Sequence, residues 1–67
     1  MQGKVIWYNP KMGYGFIKGD NGDSYFVHQT NIQMEGFRKL KRNQTVSFVA
    51  EEAEDGRAIA KEVCVVE

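Results

Sequence analysis

The chain has one cysteine, one proline and one histidine in 67 residues, a formal net charge of zero, and no long apolar run. Each shortage removes a class of protein. A lone Cys64 cannot close an internal disulfide, so a disulfide-stapled extracellular fold is excluded, and Cys64 reads as a small buried hydrophobe in the last strand. A lone His28, with no cysteine or carboxylate cluster beside it, makes a poor metal ligand and a poor general base. Paired carboxylates and a nucleophile matched to a base are also missing. No catalytic residue, metal or cofactor is therefore expected, and the chain does not read as an enzyme. Nothing approaches the roughly 18 apolar residues of a membrane span. Met1 to Lys4 lead straight into a strand-like stretch without an apolar leader, so a cytoplasmic location with no membrane partner is the expectation.

What is present has the proportions of a folded domain: 42% hydrophobic and 27% charged residues. The length suits one domain over residues 1–67. So small a domain buries only about 60% of its unfolded surface, which makes apolar side chains left outside costly. The balanced charge is unevenly spread. Residues 1–46 hold seven Lys and Arg against three Asp and Glu, and residues 47–67 hold two against six, giving +4 and −4. A ligand of the first part would be held mainly by its bases, with phosphate attraction secondary.

Short alternating segments separated by turn signals predict strands at Gly3 to Asn9, Gly13 to Lys18, Asp23 to His28, Gln44 to Glu51 and Arg57 to Val65. The turns are Asn9-Pro10-Lys11, the cluster from Gly19 to Asp23, and Glu54-Asp55-Gly56. Alternation fails between His28 and Gln44. One helical turn over Thr30 to Gln33 fits there, with Thr30 as its cap and Ile32 dropping into the core, followed by a long loop from Met34 to Asn43. The expected core is Val5, Ile17, Val27, Ile32, Val46, Phe48, Ala60 and Val63, with Leu40 as a lid. The fold this describes is all-β, a five-stranded antiparallel OB-like barrel with one short helical turn after strand three.

The chemistry lies in Gly13-Tyr14-Gly15-Phe16-Ile17 and Ser24-Tyr25-Phe26-Val27-His28. Residues two apart share a strand face, so with Ile17 and Val27 inside, Tyr14, Phe16, Phe26 and His28 point outward. Together with Trp7 and Phe37 they form a surface suited to stacking on nucleobases. Buried aromatics are the commoner case for any single ring, and it is the shared parity that favours a platform. Gly13 and Gly15 read as structural, allowing tight closure or a bend; Gly-Tyr-Gly lacks the strand-to-helix context of a phosphate loop. Lys11 and Lys18 bracket the segment and reach toward phosphates at the rim, or are ordinary solvated lysines. His28 can stack or hydrogen-bond to a base, and Gln29 can donate to and accept from a base edge or simply end the strand. Arg38-Lys39-Leu40-Lys41-Arg42 reads as a solvated loop that raises encounter rate, and Phe37 before it as a ring able to fold over a bound base.

The segments Lys4-Val5-Ile6-Trp7-Tyr8-Asn9, Met12-Gly13-Tyr14-Gly15-Phe16-Ile17, Tyr25-Phe26-Val27-His28, Glu35-Gly36-Phe37 and Val46-Ser47-Phe48 resemble the cold-shock domain in order and spacing over nearly the whole chain. The second and third correspond to its RNP1 and RNP2 motifs. The length resembles a free-standing bacterial cold-shock protein, while Phe26-Val27-His28-Gln29-Thr30 is similar to the domain of Y-box proteins. The resemblance implies a stress-response protein that binds single-stranded RNA and DNA, preferring pyrimidines, and works as an RNA chaperone affecting translation and transcription termination. A monomer is expected, with a strand-swapped dimer as the alternative. By position the binding residues would be Trp7, Tyr14, Phe16, Phe26, His28 and Phe37, with Tyr8 and Asn9 adjoining, Lys11, Lys18 and Arg38 as cations, and Gln29 as a polar contact. Ile6 and Met12 stand where many bacterial members have lysine, and Gln29 where they usually have a further ring. Weaker binding than that of a typical bacterial member, with less electrostatic help, is the expectation. A small barrel whose aromatic face takes a proline-rich peptide is the rival reading.

Overall fold

A computed structural model describes residues 1–33 and 40–66. Five strands form: β1 (Gln2–Asn9), β2 (Tyr14–Gly19), β3 (Ser24–His28), β4 (Thr45–Glu52) and β5 (Ala58–Val65). Their bounds differ from the expected ones by no more than one residue at either end. Short polar side chains end the strands by taking backbone donors. Asn9 Oδ1 accepts the N–H groups of Lys11 and Met12 at 2.9 and 3.1 Å, Asn21 Oδ1 accepts that of Asp23, and Asp55 Oδ1 accepts that of Arg57.

The strands close into a barrel in the order β1-β2-β3-β5-β4. The expected antiparallel five-stranded barrel forms, closed by one parallel seam: β3 runs parallel to β5, with Phe26 opposite Ile59 and a further parallel bridge from Ile32 to Val63. Parity requires this. Direction cannot alternate around a ring of five strands, so one neighbouring pair must run the same way.

The core holds all nine expected residues, Leu40 included, and two more, Tyr8 and Tyr25. Tyr25 shares the parity of Val27; its ring packs on Phe48 at 5.1 Å, and its hydroxyl accepts a hydrogen bond from Asn21 Nδ2 at 2.8 Å. The helical turn after β3 is a 3-10 turn over Gln29–Asn31, starting one residue and ending two residues before the expected turn. Its N-cap is His28, not Thr30, because the imidazole Nδ1 accepts the Thr30 N–H at 3.3 Å. Ile32 then enters the core as expected. The expected contributions of Phe37 and Arg38 lie outside the described residues.

Two bulges break the alternation. In β1 the register moves from Val5 opposite Ile17 to Trp7 opposite Phe16, so Ile6 is an extra residue and both Ile6 and Trp7 face out. Between β4 and β5 a second irregularity coincides with Glu62, whose φ is 51°. It lets Ala60 and Val63, three residues apart, both point inward.

Candidate nucleic-acid interface

Register across β1, β2 and β3 organises the outer surface into three rungs. Asn9, Tyr14 and His28 form one, Trp7, Phe16 and Phe26 the next, and Lys4, Lys18 and Ser24 the third. The bulge at Ile6 keeps Trp7 in line with Phe16. Were Ile6 paired in register instead of bulged, strict alternation from Val5 would send the indole into the core. The ring opposite Gly15 is Tyr8, and both residues are buried. A methyl at Gly15 would lie 2.6 Å from Tyr8 Cα and 2.9 Å from its ring, and closer still to the Trp7 carbonyl oxygen. Glycine is therefore required beneath the platform for β1 to pass so near β2.

The aromatic rungs form a connected series. Trp7 meets Tyr14 edge-on at 5.7 Å, Tyr14 stacks on Phe26 at 5.7 Å, and Phe26 meets Phe16 edge-on at 5.8 Å. Trp7 and Phe16 remain 40% and 39% exposed, whereas the core rings Tyr8 and Tyr25 are 8% and 6% exposed. Mutual edge and face contacts hold the exposed rings in place, so a planar ligand meets a preformed surface.

The polar border is ordered too. His28 Nδ1 lies 3.0 Å from Thr30 Oγ1 and also accepts the Thr30 N–H, which leaves the proton of the neutral ring on Nε2. Gln29 is exposed, and its side-chain amide lies over Gly13, where a methyl would come within 2.9 Å of Gln29 Cδ. Gly13 has φ +80° and accepts the Gln29 backbone N–H at 2.8 Å.

Other expected site residues fall in different places. Lys11 and Met12 are exposed in the turn before β2, Met12 at 61%. Lys18 lies at the opposite end of β2, on the rung of Lys4. Asn9 commits its side-chain oxygen to the turn. Tyr8, expected to adjoin the stacking residues, has its ring in the core, and burial raises its phenolic pKa above 10.0. Arg42, read from the sequence as part of a solvated loop, donates its Nε–H to the Ile6 carbonyl at 3.4 Å; no local pattern signals a contact across so many residues. Among the described residues no cluster of His, Cys, Asp or Glu is arranged to hold a metal ion, and no helix is long and apolar enough to cross a membrane.

Residues 1–66 match the profile of the 'Cold-shock' DNA-binding domain. The chain belongs to the cold-shock domain family. It is 50% identical over 56 residues to a cold shock-like protein of Thermotoga maritima, covering 84% of this chain and 85% of that one. With cold shock protein CspC of Bacillus subtilis it shares 46% identity over 59 residues (88% and 89% of the two chains), and with cold shock protein CapB of Pseudomonas syringae 45% over 64 residues (96% and 91%). The solved structure of drosophila Unr CSD456 superposes with a TM-score of 0.72 at 20% identity, over 98% of this chain and 26% of that one, and shows the same fold. The cold-shock domain is a nucleic-acid-binding family, and the three-rung surface is the described face of this barrel with the most exposed aromatic area.

Proposed function

We propose that this cold-shock protein binds single-stranded RNA and DNA by stacking bases on Trp7, Tyr14, Phe16, Phe26 and His28, and that it acts as an RNA chaperone without catalysing a reaction. The observation that carries this reading is the ring series itself, four aromatics in successive contact on the outside of a barrel whose opposite-parity residues are core. Rungs two residues apart along a strand are separated by about 7 Å, roughly twice the 3.4 Å rise of stacked nucleotides. A strand crossing them places each base on a protein ring instead of on its neighbour. Such binding opposes base pairing and base–base stacking together, which is the physical content of melting RNA structure.

Each stacked base contributes about 1 to 3 kcal/mol, so three or four suffice for micromolar binding after ordering costs. Gln29 and the Nε2–H of His28 supply polar contacts at one end. The family resemblance adds a preference for pyrimidine-rich stretches, a role in translation or transcription termination, and monomeric action in the cytoplasm. An RNA hairpin carrying a fluorophore and a quencher at its ends tests the chaperone role. The protein should open the stem at a temperature where it is otherwise closed; tight binding to a single strand without opening would limit the function to binding.

A further inference from the structure

We propose that Lys4, Lys18 and Arg42 form a phosphate site that extends the aromatic face by one nucleotide. The inference rests on the reading of that face as a base platform. Lys4 and Lys18 stand directly opposite each other across β1 and β2, an arrangement in which like charges destabilise the sheet. Among the described residues no carboxylate comes within 4.0 Å of either ammonium: the ion pairs are Arg57 with Asp55 and Lys61 with Glu51, on the β4–β5 side of the barrel. An anion bound between the two ammonium groups removes the repulsion.

The third cation arrives from the segment before β4. Arg42 is tied to β1 through the bond from Nε to the Ile6 carbonyl, which leaves its terminal guanidinium nitrogens without a partner among the described residues. Lys4, Val5, Ile6, Lys18, Arg42 and Asn43 line an open cleft of about 440 Å³ with no carboxylate among its described residues. A neighbouring cleft of about 370 Å³ shares Lys4 and Lys18 but includes Asp20, so the phosphate belongs in the first. Ile6 lines this cleft, and the next residue, Trp7, belongs to the platform. Along β2, Lys18 follows Phe16 by one rung, about 7 Å. A strand with a base on Phe16 therefore carries its following phosphodiester to the cleft. Contacts of this kind position the strand without reading its sequence.

The test compares tetrathymidine with octathymidine, followed by Trp7 emission, in the intact protein and in the K4Q/K18Q and R42Q variants. The shorter strand fills the rings and the longer one also reaches the cleft. Loss of one phosphate contact should weaken octathymidine about tenfold at about 50 mM salt and make its log–log salt slope shallower by about 0.7, while tetrathymidine stays within about twofold. Thermal melts should match or exceed those of the unaltered protein for K4Q/K18Q, because a like-charge pair is removed. R42Q, which leaves that pair in place, should shift octathymidine in the same direction. Equal losses for both lengths, or no loss for octathymidine, would overturn the phosphate site. If neither strand changes the emission of the unaltered protein, the platform reading fails first and the cleft proposal fails with it.

Discussion

Trp7 stands opposite Phe16 across β1 and β2, although Val5, two residues earlier, stands opposite Ile17, the next residue of β2. Between them β1 has one extra residue, Ile6, and the bulge that absorbs it keeps the indole outside. The same bulge lets the following ring, Tyr8, enter the core over Gly15.

Deleting Ile6 removes the extra residue and leaves strict alternation, with Val5 inward, Trp7 outward opposite Phe16 and Tyr8 inward over Gly15. Neither ring changes face, so the variant should fold, lose no more than about 3 kcal/mol of stability and keep an exposed indole. Urea unfolding and Trp7 emission measure this. A deletion variant that unfolds, or whose indole becomes buried, would show that Ile6 is not the residue the bulge absorbs.

Replacing Phe16 or Phe26 by alanine should weaken a short oligothymidine by about 1 to 3 kcal/mol while leaving the melting curve cooperative. The control is Tyr25→Ala. That ring packs on Phe48 and is 6% exposed, so its loss should cost about 3 to 5 kcal/mol of stability and largely unfold the chain. Calorimetry beside binding titrations separates the two classes, and a Phe16 variant that unfolds would place that ring in the core.

Salt dependence should be shallow. Ile6 and Met12, both exposed, bring no charge to the border of the aromatic face, and each phosphate contact on a single strand contributes only about 0.7 to the log–log slope. Titrations of a short oligonucleotide at several salt concentrations should give a slope no steeper than about −3, and a steeper one would contradict binding led by bases.

Alkaline pH should weaken the fold through Tyr8. Burial raises its folded pKa above 10.0, so between the unfolded and folded values the native state holds a proton that the unfolded chain has released. This contribution to stability is intact below about pH 10 and is lost as pH rises through the folded pKa. Denaturation across that window should show a smaller fall in stability for Tyr8→Phe than for the unaltered protein, and parallel curves would remove Tyr8 as a cause.

Much of the barrel was legible because each strand alternates around a few apolar anchors. Ile17 and Val27 alone fix the outward parity of Tyr14, Phe16, Phe26 and His28. The same rule, carried to Tyr25, puts it inside with Val27, yet the expected core omits it because its hydroxyl disguises it as a surface residue. Tyr8 was not legible, since its position depends on an extra residue at Ile6 that alternation does not register. The cap at His28 was hidden because its Nδ1 accepts only in the tautomer that carries the proton on Nε2, whereas Thr30 carries an ordinary capping side chain. The Lys4–Lys18 rung and the approach of Arg42 to Ile6 are products of register and chain return, and short-range patterns contain neither.

The central claim is that bases stack on the outer rings, and Trp7 is both a member of that surface and the only tryptophan in the chain. Titrating heptathymidine, and heptaadenine for comparison, against indole emission tests it most directly. The account predicts saturable quenching that is stronger with thymidine and weakened by Phe16→Ala; an emission spectrum unchanged by either strand would contradict it.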